Sequence, residues 1–374
     1  MKVEIFREEF KRALGICERI TRRALGLPIL QNILIKAEGG FLELTTTNLE
    51  TTIKYWVLAK VKQGGETTAS ASFLANLVNL AQVEKIDLLE ENNQLVLLSE
   101  NQESQIPTQS SQDFPLIPKI DTTDAWQVGI EDLVAGLGQV VEIPAISQLR
   151  PEITGVFFSF KKNKLQIVGT DSFRLAEKTI TLRGVGKKEG SFIVPQTTAR
   201  ELLNILGPEQ GVMSVYFTPN QVLFEISREE TAHPKIRIFS RLIEGDYPPY
   251  QEIIPKASST QIRLEREVFM NQIKQAGLFS GKIAEVKLKT LIKDGKLRIF
   301  SQSTEAGRNE SFINCQIIGA DLEIAFNYRF LLGGLSSIKG SEVMIECGGP
   351  DKPGLIKPVG DANFLYVLMP LQAS

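Results

Sequence analysis

From Ile153 to Ala176 (ITGVFFSFKKNKLQIVGTDSFRLA) apolar and polar positions follow a strand period. The pattern predicts two strands, Gly155–Lys161 and Lys164–Val168, turned by Lys162 and Asn163 and closed by a polar Thr170-Asp171 corner. The same order recurs upstream in Ile29–Glu50 (ILQNILIKAEGGFLELTTTNLE) and downstream in Glu285–Glu305 (EVKLKTLIKDGKLRIFSQSTE). The corners Thr47-Asn48, Thr170-Asp171 and Ser303-Thr304 stand 123 residues (47 to 170) and 133 residues (170 to 303) apart. Three copies of one strand-turn-strand-corner unit predict three similar domains.

Each third opens on a helical pattern. Phe6, Phe10, Ala13, Cys17 and Ile20 share one face without a Ser or Thr cap, and Ile130, Leu133, Val134, Leu137 and Val141 share another. Arg266–Gly281 is the third copy, with Phe269, Ile273 and Ala276 on its stripe. Second helices are expected over Phe73–Gln82 after Ser72, Pro195–Leu206 with Pro in its first turn, and Asn327–Ile338 closed by Gly340. Further strands fall within Ile86–Ser99, Val212–Ile226 and Glu342–Cys347. The first two thirds end in Pro-rich segments, Phe114–Ile120 (FPLIPKI) and Tyr247–Ala257 (YPPYQEIIPKA), each running into a short polar stretch. These linkers place domains at about 1–123, 124–259 and 260–374. The fold class is α+β, each domain carrying two helices on antiparallel sheets.

Composition narrows the class. In 374 residues, 43% are apolar and 23% charged, so each third can bury a core of its own. No apolar run approaches a membrane span, and the charged start MKVEIFREEFKRAL lacks a signal-peptide core. Three widely spaced cysteines, Cys17, Cys315 and Cys347, suit a reducing cytoplasm. The net charge of −2 does not advertise a nucleic-acid binder, although an average can hide a basic face.

Catalysis finds little support. The single histidine, His233, has no Ser or Cys partner to activate, and no His/Cys cluster has zinc spacing, so neither metal nor cofactor is expected. Gly277–Ile283 (GLFSGKI) has one residue too few for a P-loop, lacks the magnesium-binding hydroxyl and follows a helix instead of a strand. Asp171 beside Arg174 could be an acid-base pair; Asn48 at the equivalent place favours a turn role, since Asn keeps the acceptor and loses the acid. The first helix carries Arg7, Lys11, Arg12, Arg19, Arg22 and Arg23 against Glu8, Glu9 and Glu18. Alone this is a solvated face; repeated on six helices it could line a closed assembly with charge for phosphates. Tyr366–Leu371 (YVLMPL) reads equally as a last core strand or as an adaptable apolar groove.

Six stretches carry a resemblance: LPILQNILI (Leu27–Ile35), RPEITGVFF (Arg150–Phe158), GTDSFRLA (Gly169–Ala176), GDYPPYQEIIP (Gly245–Pro255), FNYRFLL (Phe326–Leu332) and YVLMPL (Tyr366–Leu371). In this order, on a threefold repeat, the chain resembles the bacterial DNA polymerase III beta subunits, the replicative sliding clamps, over its whole length. The resemblance implies a head-to-tail homodimer of six domains, with twelve helices lining a hole for double-stranded DNA. It implies a cytoplasmic processivity factor without enzymatic activity, which tethers the polymerase III catalytic subunit, the clamp loader and other replication or repair proteins, and no membrane. A partner-peptide groove is implied at Ile153, Thr170, Ser172, Phe173, Arg174 and Leu175, with Pro248, Ile253, Asn327, Phe330, Val367, Met369, Pro370 and Leu371. Apolar floor and walls would come from Ile153, Leu175, Ile253, Phe330, Val367 and Met369, and Thr170 and Arg174 would hold polar groups at the rim. DNA contacts are implied at Arg22, Arg23, Gln148 and Arg150, and dimer contacts at Ile106 of one subunit and Leu278 and Phe279 of the other. The chain departs from the family at Phe173, where many relatives have His, at Glu252, where some have Arg, at Pro151 and Glu152, and in the tail Gln372–Ser374.

Two rival readings predict different behaviour. A protein-binding repeat scaffold would not be retained on a closed circular plasmid, and a nucleotide hydrolase using Gly281-Lys282 would turn over ATP.

Overall fold

The computed structural model describes all residues except 23–25, 100–101, 118, 183–188, 229–230, 232 and 373–374. Arg23 therefore lies outside the described residues. Six helices are described: α1 (Arg7–Thr21), α2 (Ala71–Leu80), α3 (Ile130–Val140), α4 (Gln196–Leu206), α5 (Arg266–Gly277) and α6 (Tyr328–Ser337). Contacts divide the chain into two compact units. One holds Met1–Ile130 with Asn204–Leu242; the other holds Glu131–Leu182, Glu189–Leu203 and Ile243–Ser374. Both units thus draw on the second repeat.

In the first unit twelve strands form one sheet, in which Thr51–Gln63 of the first repeat pairs antiparallel with Ile236–Arg241 of the second. Lys2–Phe6 pairs on one side with Lys85–Glu91 and on the other with Thr51–Gln63, closing eight strands of the first repeat on one another. The α1–α2 pair covers this sheet, burying Phe10, Leu14, Cys17 and Ile20 from α1 and Leu74 and Val78 from α2. Glu8 and Glu9 in the first turn of α1, and Arg19 in its last, suit the helix dipole where no side chain caps the start.

The second unit repeats the construction. A nine-stranded sheet runs from Gly190–Pro195 through Gly155–Lys161, Lys164–Thr170 and Arg174–Thr181 to Phe364–Leu368 and on through strands of the third repeat. A four-stranded sheet, Gly307–Asn314, Lys296–Ser303, Glu285–Leu291 and Glu323–Asn327, packs with α5 and α6.

Some boundaries differ from the sequence reading. The cap of α2 is Ser70, whose hydroxyl accepts from the Phe73 amide at 3.5 Å, so the helix starts two residues before Phe73. Pro195 ends a strand and α4 starts at Gln196, while Asn327 caps α6 from outside, its Oδ1 accepting from the Arg329 amide at 2.9 Å. The turn at Gly281, with φ of 60°, follows the end of α5. His233 is a packing residue, stacked on Trp56 at 6.2 Å and edge-on to Phe41 at 5.1 Å. Burial pushes the thiols of Cys17 and Cys347 up to about 12 and that of Cys315 to about 11.

Candidate partner groove, basic contacts and sheet edges

The expected groove centres on the corner after strand Lys164–Thr170. Ser172 sits in the left-handed region (φ 76°), unusual for a residue with a side chain, and the neighbouring bonds hold it there. The Thr170 hydroxyl donates to the Arg174 carbonyl at 2.8 Å and accepts from the Ser172 amide at 3.2 Å. Asp171 Oδ1 accepts from the amides of Phe173 (3.0 Å) and Arg174 (2.9 Å), the turn role expected of an Asp/Asn position. Its Oδ2 also pairs with Arg174 Nε at 2.8 Å. Arg174 in turn lies 4.8 Å over the Phe330 ring and reaches the Glu142 carbonyl at 3.4 Å.

The C-terminal strand locks onto this corner. Arg174 opposes Leu368 and Leu175 opposes Val367; beyond the strand, the Met369 amide donates to the Phe173 carbonyl at 2.9 Å. Two residues on, the Leu371 amide donates to the Ala325 carbonyl at 2.8 Å. These bonds leave Phe173 61% and Met369 38% exposed; Ile253, after the linker turn Tyr250–Glu252, is 44% exposed. The Phe173 and Phe330 rings stand 6.3 Å apart, and Pro248, Pro370 and Leu371 are half-buried.

Other members of the expected set serve as framework. Ile153, Leu175 and Val367 are core residues, at most 3% exposed, and support the surface from beneath instead of lining it. Leu175 and Val367 share a cluster with Val168, Tyr250 and Leu355, because both faces of strand Phe364–Leu368 are covered. Thr170 and Arg174 are occupied within the corner, and Asn327 is occupied as a cap.

Several groove-building residues escaped the sequence reading. Tyr247 stacks on Phe157 (4.5 Å) and Tyr250 meets it edge-on (6.3 Å), pinning the linker to the sheet. The Tyr366 hydroxyl donates to the Phe330 carbonyl at 2.8 Å. That contact needs Gly334, where a Cβ would stand 2.5 Å from the Tyr366 ring. The signal was present as paired glycines, Gly333-Gly334, inside a helical segment.

Profiles of the DNA polymerase III beta subunit match the chain in three parts: the N-terminal domain over residues 1–118, the central domain over 136–249 and the C-terminal domain over 251–372. The chain belongs to this family. It is 25% identical to the beta sliding clamp of Staphylococcus aureus over 356 residues, 92% of each chain. The DNA polymerase sliding clamp of Bacillus subtilis superposes with a TM-score of 0.93 at 24% identity, covering both chains fully. A Pseudomonas aeruginosa sliding clamp, solved bound to griselimycin, superposes at 0.93 with 22% identity and the same full coverage. The architecture is therefore three DNA-clamp domains of mixed helix and sheet.

In this clamp-family chain the basic candidates already carry acidic neighbours. Arg22, at the C-cap of α1, pairs with Glu18 at 2.8 Å. Arg150 pairs with Glu152 at 3.0 Å and donates to the Ser172 hydroxyl at 3.1 Å, which ties it to the groove corner. Its own backbone amide and the Arg150 guanidinium hold the Glu152 carboxyl below the usual range. Gln148 is exposed, as are the flanking Ile146 and Leu149. Within α1, Arg12 pairs closely with Glu209, which also takes Lys235 at 2.7 Å.

Each unit also leaves a strand edge open. Strand Gln102–Gln109 pairs along its length with Gln94–Ser99, while Gly65–Ser70 meets it only at Thr108 and Gln109. Ile106 on this strand is buried, beside exposed Phe73. In the second unit Gly307–Asn314 is an outer strand with Phe312 exposed. Leu278 is exposed and Phe279 half-buried just past α5.

Proposed function

We propose that the chain is a replicative sliding clamp, with the three repeats 1–123, 124–259 and 260–374 as its domains. Two copies join head to tail at the open edges, covering Leu278 and Phe279 of one copy against the strand that Ile106 anchors in the other, and hiding strands that would otherwise invite aggregation. The six-domain ring encloses duplex DNA in the cytoplasm. Arg22, Arg23, Gln148 and Arg150 contact phosphates without reading sequence. Work is done by topology, not by a reaction: a linked ring keeps a tethered polymerase at high effective concentration near its primer.

The observation that carries this reading is the exposed apolar pair Phe173 and Met369, joined by a backbone bond on a hydrogen-bonded corner, in a chain whose three domains all match the family. Such an anchor site suits short peptides with Leu or Phe side chains, and Met369 can adapt to different partners. The catalytic subunit, the clamp loader and repair proteins would share it. After loading onto a nicked circular plasmid that is then sealed, the protein should stay bound in high salt and leave when the plasmid is cut. Loss from the uncut circle would favour a scaffold that binds proteins alone.

A further inference from the structure

The exposed pair Phe173 and Met369 continues a sheet face that is covered elsewhere. Leu175 opposes Val367, and two residues on along each chain the Met369 amide meets the Phe173 carbonyl. Side chains two apart in extended backbone share a face. Leu175 and Val367 are buried in one cluster with Tyr250, and Tyr247 and Ile254 pack against it. All three come from the linker, which is a strap laid across the sheet. At its start the Ile243 amide donates to the Ile193 carbonyl on strand Gly190–Pro195 (2.9 Å). At its end the Ser259 amide donates to the Cys347 carbonyl on strand Glu342–Cys347 (2.9 Å). Glu252 and Ile253 stand between Tyr250 and Ile254, and both are exposed. They lie over the two strands that end in the exposed pair.

What the strap leaves outside is acidic. Glu244, Asp246 and Glu252 are exposed, and among the described residues none makes an ion pair or a side-chain hydrogen bond. Lys256 is the one cation between residues 243 and 258, so three carboxylates face one lysine. The charges around the strap do not offset them. Arg174 is paired with Asp171, and Arg150 with Glu152. Arg329 lies over the Tyr328 ring, which stands against Gly277 of α5. Asp351 and Lys352, in the turn before Gly354, cancel each other. We propose that this site takes peptides in which a lysine or arginine flanks the apolar anchor. The anchor sits on Phe173 and Met369, and the cation is set against Glu252. The inference rests on reading the Thr170–Arg174 corner as a peptide groove and names the partner class that this groove prefers. An acidic flank would meet an unmatched carboxylate and bind less well.

Full-length protein with labelled Ile and Met methyl groups, titrated with acetyl-KLFK-amide, acetyl-QLFQ-amide and acetyl-ELFE-amide, tests the assignment. At low salt the Ile253 and Met369 methyls should report the Lys form bound about threefold more tightly than the Gln form. The Glu form should bind about threefold more weakly, and high salt should close the spread. Glu252→Gln should bring the three affinities together. Equal affinities in the parent protein, or a spread that survives Glu252→Gln, overturns the inference and leaves the groove standing. Methyls that stay unmoved by all three peptides overturn the groove reading itself, and the inference with it.

Discussion

The proposed partner groove and the proposed DNA contacts are built to opposite rules. Around Phe173 and Met369 nearly every polar atom of the corner is spent on its neighbours: Thr170, Asp171 and Arg174 all bond inward, and a strand and a helix brace the surface from below. Arg22 and Arg150 instead sit on exposed ends, each with a carboxylate beside it. Recognising a peptide requires a fixed shape, because loose anchors would lose their binding energy to ordering entropy. Following a duplex requires only charge, and charge matched in place holds weakly enough to move. Affinity for the apolar anchors should therefore be insensitive to salt, and affinity at the arginines sensitive to it.

The largest test of this contrast removes Met369–Ser374. The Met369–Phe173 and Leu371–Ala325 bonds go with it, and binding of a polymerase tail peptide, followed by calorimetry, should fall below detection while sedimentation still shows a dimer. Undiminished affinity would move the partner site elsewhere. Next in size, Met369→Ala should cost about 2 kcal/mol of peptide binding, the scale of a buried hot spot, with the same loss at low and high salt. A loss that shrinks with salt would show an electrostatic groove and blur the two classes.

The basic side should respond in the opposite sense. Arg22→Ala with Arg150→Ala should lower the slope of log affinity against log salt by about 2 on any duplex sequence, measured by fluorescence anisotropy. A smaller effect is expected from Glu18→Gln and Glu152→Gln. Each frees an arginine from its partner and should tighten DNA binding about threefold at low salt, within the range of exposed ion pairs. Weaker binding would mean that the carboxylates position the arginines for DNA instead of restraining them.

Much of the architecture was legible because strand and helix periods persist through all three repeats. The hairpin strand Gly155–Lys161 lies where alternation placed it, and the turn role of Asp171 followed from Asn48 alone. The division of the groove between surface and support was not legible. The resemblance implied Leu175 and Val367 as groove walls and the apolar run Tyr366–Leu371 left core and groove open, because a strand covered on both faces loses the alternation that marks an exposed side. Nor could spacing reveal that Arg174 lies over Phe330, since the ring comes from a helix more than a hundred residues away, whereas its pairing with Asp171 is local. The compact units were hidden for a related reason: pairing of Thr51–Gln63 with Ile236–Arg241 joins strands of different repeats.

The raised thiols have a use at the bench. With two cysteines buried and burial raising all three thiols above their ordinary range, little thiolate is present at neutral pH. A maleimide dye offered briefly should pass over the native cysteines and label one introduced in place of exposed Leu278. Opening and closing of the proposed joint could then be followed by fluorescence on single molecules, in a background the chain itself keeps dark.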